Sequence, residues 1–118
     1  MNGIQEDCIF CKLANGIIGA DMVYENEWVA AFKDLNPQAP VHVLVVPKVH
    51  YESADEICET NSVFVAAVFE AIPLIAKKLG VSGRYRVITN CGEDAGQSIH
   101  HLHFHLLAGT PELKERLV

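Results

Sequence analysis

The sequence predicts a single α+β domain in which an antiparallel sheet packs against one long helix. Residues 63–79 carry apolar side chains at helical spacing. Apolar runs typical of strands precede and follow that helix, and neither a repeat nor a linker divides the 118 residues. A chain of this length forms one domain, so we expect residues 1–118 to fold as a unit.

The first half of the chain predicts a short helix and three strands. Residues 8–15 fit a helix that ends at the following glycine. Met22–Glu25 and Trp28–Lys33 are apolar-rich runs separated by two polar residues, which indicates a hairpin. Residues 34–40 contain two prolines and predict a loop. The dense β-branched run Val41–Val46 predicts the third strand.

Helix signals open the second half of the chain. Ser53, with Glu56 three residues later, has the form of a capping box and predicts a short helix. Val63–Leu79 predicts the long helix, and Asn61 or Ser62 is expected to cap its start.

Two strands are predicted to complete the sheet after the long helix, which Pro73 is expected to kink. Arg84–Thr89 and Ile99–Ala108 both alternate as strands, and the glycine-containing loop 91–98 joins them. They can therefore pair as antiparallel neighbours.

Composition argues against several classes of protein. Half the residues are apolar and the net charge is −6, which disfavours binding to nucleic-acid polymers or anionic membranes. No apolar run reaches the ~20 residues of a membrane-spanning helix. Because Met1–Asp7 is polar rather than a signal peptide, we expect a reducing, cytoplasmic location. Cys58 and Cys91 are interpreted as packing residues.

Histidines concentrate in the last predicted strand. His101, His103 and His105 alternate with apolar residues, so period two places the three imidazoles on one face at steps of about 7 Å. The intervening side chains are expected in the core: Leu102, Phe104 and Leu106. Such a face can carry nucleophilic, acid–base or phosphate chemistry, or a zinc site of the His-x-His type, or it is simply a polar strand face.

The pattern His-φ-His-φ-His-φ-φ, where φ is apolar, resembles the signature of the histidine triad (HIT) nucleotide-binding proteins. Three further segments resemble that family in the same order: Phe32–His42, Val45–His50, and Asn90 with Gly96–Ser98. The resemblance implies a HIT-like antiparallel sheet with one long helix and one or two short ones. It is strongest to the small phosphoramidase branch and to bacterial members.

The resemblance also implies roles for four histidines. His103 matches the nucleophile that attacks the α-phosphorus and forms a covalent nucleotidyl-histidine. His105 matches the position that contacts the phosphate, where the family's transferase branch has glutamine, so hydrolysis is favoured. His101 matches the first triad position, and His42 matches a fourth histidine that supports the triad.

A nucleotide site is implied by the same resemblance. Asn90, Gln97 and Ser98 match polar phosphate contacts, and Asp34 matches the acceptor of the ribose hydroxyls. The residues that match the apolar slot for the base are Ile9, Phe10, Leu13, Phe32, Leu35 and Leu44. The expected ligand is of the purine nucleoside monophosphate type.

The spacing Cys8-x-x-Cys11 is half of a tetrahedral zinc site, and alone it is also compatible with redox-active or idle thiols. Bacterial HIT proteins that resemble this chain complete the site with two histidines, which match His50 and His101. The resemblance therefore implies a structural zinc.

These observations lead to a hydrolase of nucleoside 5′-phosphoramidates or related adenylylated substrates. Two alternatives stay open: a dinucleoside polyphosphate hydrolase, and a nucleotide- or zinc-binding module with little turnover. Proteins that resemble this one are homodimers. The helix 62–79 is apolar nearly all round, so this helix and the strand 84–89 are the expected shared surface.

Overall fold

The computed structural model describes residues 5–109. They form two helices, α1 and α2, two three-residue 3₁₀ turns and five strands. In chain order the elements are α1 (Ile9–Ala14), β1 (Met22–Glu25), β2 (Val29–Lys33), β3 (Val41–Pro47), the turn Ala54–Glu56, α2 (Val63–Lys78), β4 (Tyr85–Ile88), the turn Glu93–Ala95 and β5 (Phe104–Ala108).

The five strands form one antiparallel sheet in the order β1-β2-β3-β5-β4. The α+β fold class is thus confirmed. Strand β3 lies at the centre, and its dense β-branched sequence suits burial on both faces. Its alternating side chains divide the core: Val43 and Val45 pack towards α2, whereas Leu44 and Val46 pack towards α1.

Helix α2 covers one face of the sheet with the apolar stripe that its periodicity predicts. Ala67, Val68, Ala71, Ile72 and Ile75 are buried against the sheet. The helix continues through the exposed proline at position 73.

The predicted caps of α2 are wrong. Ser62 has helical dihedral angles and its side chain makes no capping hydrogen bond. The Asn61 side chain instead accepts a hydrogen bond from the backbone N–H of Cys58 and so closes the preceding turn. At the earlier turn the Ser53 hydroxyl accepts from Asp55 N–H, but the Glu56 carboxylate accepts from Glu52 N–H, one residue before the position that a capping box requires.

The last strand is shorter than the alternation predicts, because β5 begins only at Phe104. Leu102 N–H donates to the carbonyl of Tyr51, and the His103 carbonyl accepts from the Thr89 hydroxyl at 2.8 Å. Backbone groups just before β5 are therefore satisfied outside the sheet. The predicted inward side chains Leu102, Phe104 and Leu106 are nevertheless all in the core.

Two smaller expectations are corrected. Strand β2 starts at Val29 rather than at Trp28, because the Asn26 side chain accepts from both N–H groups and holds them in the turn. Cys58 and Cys91 are exposed and are not packing residues. Within residues 5–109, neither helix has the length and apolar character needed to cross a membrane.

Candidate active site

A cavity of about 850 Å³ opens on the face of the sheet that α1 covers. Its walls come from α1, from the segment before β1, from β2 and β3, from the loop after β2, and from β5 and the segment that precedes it. It is lined by eleven of the predicted site residues: Ile9, Phe10, Leu13, Phe32, Asp34, Leu35, His42, Leu44, Ser98, His103 and His105. Asn90, Gln97 and His101 do not line it.

His103 is buried, and one of its ring nitrogens is already committed. Its Nδ1 lies 2.6 Å from the carbonyl of His101, and a carbonyl only accepts, so Nδ1 carries the proton. In the neutral ring Nε2 is then left with a free lone pair. The ring of Phe10 packs edge-on against this imidazole at a centroid distance of 4.9 Å.

His105 has the opposite tautomer, and His42 sets it. The backbone N–H of Gln38 donates to His42 Nδ1 at 3.0 Å, so the proton of neutral His42 lies on Nε2. That Nε2 lies 2.9 Å from Nδ1 of His105 and 3.4 Å from a carboxylate oxygen of Asp34. His105 therefore accepts at Nδ1 and keeps its own proton on Nε2.

Burial keeps these imidazoles neutral. Burial, helped by the neighbouring imidazoles of His103 and His42, lowers the pKa of His105 to about 4, and the Asp34 carboxylate opposes this shift only in part. Burial also lowers the pKa values of His103 and His42. The cavity thus presents one bare imidazole nitrogen beside one imidazole N–H, which is a nucleophile next to a hydrogen-bond donor.

The Asp34 carboxylate lies on the cavity wall. One oxygen accepts from the backbone N–H of Asn36 at 2.8 Å, which forms the turn, and the other lies near His42. The adjacent Leu35 was predicted in the apolar slot. It is instead 99% exposed and stands on the rim of the cavity.

Gln97 was predicted to contact phosphate, but its side chain is used within the protein. Its carbonyl oxygen accepts from Gly92 N–H at 2.8 Å, and its amide donates to the carbonyls of Glu52 and Ile99. Gln97 therefore shapes the loop. The Asn90 amide lies 3.7 Å from the position that a Cβ on Gly96 would take. Gly96 and Ser98 face the cavity themselves.

Sequence reasoning missed Thr89, whose hydroxyl holds the carbonyl of His103. This contact fixes the backbone of the histidine where the sheet ladder has not yet begun. A threonine at a predicted strand end gives no signal of such a role, because it is ordinary there.

His101 does not share the cavity with the other two triad histidines, contrary to expectation. It is fully buried beside Cys8, Cys11 and His50, and the four ligand atoms lie within 4.8 Å of one another. Its Nδ1 is 3.3 Å from the sulfur of Cys8 and 3.4 Å from that of Cys11, and His50 Nδ1 is 3.4 Å from Cys11. Zn–S and Zn–N bonds of ~2.3 and ~2.0 Å at tetrahedral angles separate S and N by ~3.5 Å.

The protonation pattern of this cluster also fits a metal. His101 Nε2 donates to the carbonyl of Pro47 at 2.9 Å, so Nδ1 is bare and faces the thiols. Burial lowers the pKa of His101 to about 4 and, without a cation, raises that of the Cys11 thiol to about 11. A divalent ion would supply the positive charge that two buried thiolates lack.

Asp34, His42 and His105 form a second group of possible metal ligands. In this group the directions of the hydrogen bonds at His42 are incompatible with a bound metal ion. A cation on His42 Nε2 would move that proton to Nδ1, which would then face the N–H of Gln38. We therefore interpret this group as a hydrogen-bonded chain.

Acid is expected to destabilise the protein, partly through His105. Its pKa is 6.5 when unfolded and about 4 when folded. Between these values the unfolded chain binds more protons, so stability falls as pH falls, by at most ~1.4 kcal/mol per pH unit for this group. The free energy of unfolding, measured with urea at about pH 7 and at about pH 5, should fall less between these two pH values for His105→Asn than for wild type.

The control for this measurement is His100→Asn, which replaces an exposed histidine outside the cavity. An equal loss of stability in wild type and in His105→Asn would contradict the prediction.

Comparison with known proteins agrees with this architecture. A family model described as the HIT domain matches residues 15–112. An uncharacterized HIT-like protein of Methanocaldococcus jannaschii is 46% identical over 101 residues, covering 85% of this chain and 77% of the relative. The protein HitA of Neisseria gonorrhoeae is 39% identical over 106 residues, covering 90% of this chain and 98% of the relative.

Solved structures are equally similar. A HIT family hydrolase from Clostridium thermocellum superimposes with a TM-score of 0.90 and 42% identity, over 97% of this chain and 99% of that one. A histidine triad protein from Clostridium difficile superimposes with a TM-score of 0.85 and 48% identity, over 92% of this chain and 95% of that one. The chain that carries this cavity and these histidines therefore belongs to the histidine triad family.

Proposed function

We propose that this protein hydrolyses nucleoside 5′-phosphoramidates or related adenylylated substrates through a covalent nucleotidyl-histidine. The observation that carries the proposal is the pair of opposite tautomers in the cavity. His103 offers a bare Nε2, and His105 offers an Nε2–H within the same pocket. Nucleophilic displacement at phosphorus needs both functions, because the attacked group gathers negative charge.

In the first step, Nε2 of His103 attacks the α-phosphorus and the bond from phosphorus to the leaving nitrogen breaks. The leaving nitrogen takes one proton from solvent and departs as an amine, while His105 Nε2–H donates a hydrogen bond to the phosphoryl oxygens that gather negative charge. In the second step, water attacks phosphorus, the bond from phosphorus to Nε2 of His103 breaks, and the proton that water loses goes to solvent. The products are a nucleoside monophosphate and free His103.

The charge of the cavity favours phosphoramidates over polyphosphates. Lys33 is the one lysine or arginine that lines it within residues 5–109, and its ammonium lies 3.6 Å from the Asp21 carboxylate. Around His103 and His105 the lining otherwise offers uncharged polar groups and the Asp34 carboxylate. That environment suits a phosphorus centre with a single negative charge, whereas a polyphosphate chain brings several charges without a cation to offset them.

Apolar side chains on the other side of the cavity suit a nucleobase. Phe10 and Phe32 meet edge to face at 5.7 Å, and Leu13 and Leu44 pack in the same cluster. This slot and the Asp34 carboxylate support a ligand of the purine nucleoside monophosphate type. Apolar walls discriminate weakly between bases, so we expect AMP and GMP to bind with similar affinity.

Turnover of adenosine 5′-phosphoramidate and of diadenosine tetraphosphate tests the proposal. We expect the first to be hydrolysed much faster, and acid-quenched samples to contain adenylylated protein by mass spectrometry. Faster hydrolysis of the tetraphosphate would identify the polyphosphate branch. Nucleotide binding without turnover of either compound would identify a binding module.

We further propose that Cys8, Cys11, His50 and His101 hold a structural zinc. Two thiolates and two imidazoles make a closed tetrahedral set, which leaves no position for a catalytic water. Bound zinc would tie α1 to the sheet. None of the four cysteines is in a disulfide, which suits the reducing cytoplasm that we propose as the protein's location.

We also propose a homodimer. Helix α2 exposes about half of each of three large apolar side chains, Val63, Phe69 and Leu74, and β4 lies at the edge of the sheet. Light scattering at micromolar concentration should give twice the mass of one chain. The substitution Leu74→Glu places a charge in the interface and should therefore lower the measured mass towards that of a single chain. The mass of one chain for wild type would contradict this prediction.

A further inference from the structure

We propose that the metal site and the nucleotide pocket are energetically coupled, so that bound zinc tightens the binding of a nucleoside monophosphate and bound nucleotide tightens the binding of zinc by the same factor. The inference rests on the proposed function, since it requires that both ligands bind. It goes further because it makes the metal a regulator of substrate affinity.

The first connection is helix α1, which belongs to both sites. Cys8 is its N-cap and Cys11 lies in its middle, while Ile9, Phe10 and Leu13 line the cavity. An isolated helix of six residues is not stable in water, so α1 depends on what holds it to the sheet. Two of its anchors are the sulfur atoms beside His50 and His101. A metal on those sulfurs therefore fixes one wall of the nucleotide slot.

The second connection is the ring of Phe10, between the two cysteines. It lies edge-on to the nucleophilic His103 at 4.9 Å, to Phe32 at 5.7 Å and to the metal-site residue His101 at 6.1 Å. A shift of α1 would therefore change the packing of the base slot and of the nucleophile together.

The third connection runs through His101. Its Nδ1 faces the sulfurs of Cys8 and Cys11, and its carbonyl accepts from Nδ1 of His103 at 2.6 Å. The residue that would bind the metal with its ring thus holds the nucleophile with its backbone. Any movement of His101 on metal loss reaches His103 directly.

Coupling of this kind is reciprocal by thermodynamic necessity and typically amounts to ~5- to 150-fold in affinity. The contacts here are direct, without an intervening element, so we expect at least ~5-fold. The same factor must be obtained whichever ligand is titrated.

The test measures all four equilibria with zinc and AMP. Calorimetry gives the AMP affinity of zinc-loaded and zinc-free protein, and competition with a chromophoric chelator gives the zinc affinity with and without AMP. We expect both ratios to agree at about fivefold or more. Equal AMP affinities for the two forms, with both ligands binding, would overturn the coupling while leaving the proposed function intact.

Other failures are distinguishable, and each also overturns the coupling. If the protein binds no zinc in the absence of nucleotide, the proposed metal site is wrong but the proposed nucleotide site is not. If the zinc-loaded protein binds no AMP, the proposed nucleotide site is wrong. Circular dichroism checks that the zinc-free chain is folded.

If the zinc-free chain is unfolded, Phe10→Leu in the loaded protein decides. We expect the zinc affinity of this variant to rise much less on addition of saturating AMP than that of wild type, whatever its zinc affinity without AMP. The control Ile17→Leu alters an exposed side chain that does not line the cavity and should keep the AMP-dependent gain of wild type. An undiminished gain in Phe10→Leu would show that coupling arises only through global folding and would overturn the proposal.

Discussion

Replacing His103 with alanine is expected to reduce hydrolysis of adenosine 5′-phosphoramidate by at least ~10³-fold, with little change in the affinity for AMP. The nucleophilic nitrogen is lost, whereas the apolar slot and the Asp34 carboxylate remain. Steady-state kinetics and calorimetry with AMP measure the two effects separately. Mass spectrometry of quenched samples should no longer detect adenylylated protein.

His100→Ala is the matched control for this experiment. His100 is an exposed histidine three residues earlier in the sequence, and its ring lies 3.6 Å from the Glu93 carboxylate and outside the cavity. Its replacement should leave turnover unchanged. If His103→Ala retained about a tenth of wild-type activity, the nucleophile would have to be another group.

The chemical distinction between His103 and His105 comes from their partners rather than from their positions. Both imidazoles are neutral and share the cavity, with ring centroids 5.0 Å apart. A backbone carbonyl behind His103 and a protonated nitrogen of His42 behind His105 give them opposite proton arrangements. The hydrogen bonds that fix the tautomer of His105 begin at the backbone N–H of Gln38, which donates to His42. Gln38 lies in the loop that the prolines predict, so this loop also determines which nitrogen of His105 carries the proton.

Periodicity predicted the parts of the fold that depend on one face of an element. The alternation around His103 correctly placed Leu102 and Phe104 in the core, and helical spacing predicted the buried side of α2. Element ends depend instead on which group satisfies a particular N–H or carbonyl. The Thr89 hydroxyl and the Tyr51 carbonyl take groups that the predicted strand would have paired, and this tertiary choice leaves no pattern in the sequence.

The residues of the candidate site, like the elements of the fold, were only partly predictable from the sequence. Residue types and their resemblance to a family gave most of the cavity lining, but Asn90, Gln97 and the ring of His101 lie outside it. Gln97 supplies hydrogen bonds to its own loop and to the carbonyl of Glu52. The ring of His101 turns into the cysteine cluster, as the resemblance to zinc-binding relatives implies, whereas the predicted alternation placed it on the face of the cavity. His101 precedes β5, so the alternation of strand side chains does not fix the direction of its ring.

Replacing Cys8 with serine is expected to remove most of the bound zinc and to lower the stability of the protein markedly. Wild-type protein from zinc-supplemented growth should contain about one equivalent of metal per chain by elemental analysis. Metal-binding free energy is folding free energy, and structural zinc sites contribute an apparent ~10–16 kcal/mol in small domains that fold with the metal. This domain also has a sheet core, so we expect only a fraction of that loss, measured by chemical unfolding.

Cys58→Ser is the matched control, because Cys58 is an exposed thiol outside the metal cluster. It should keep its zinc and its stability. Cys8→Ser should still hydrolyse phosphoramidate at a reduced rate, since His103 and His105 remain in place but α1 loses one anchor. Wild-type protein with less than about a tenth of an equivalent of zinc and freely titratable thiols would contradict the metal site. The assignment of His103 as nucleophile would not be affected by that result, because it depends on the carbonyl of His101 and not on its ring.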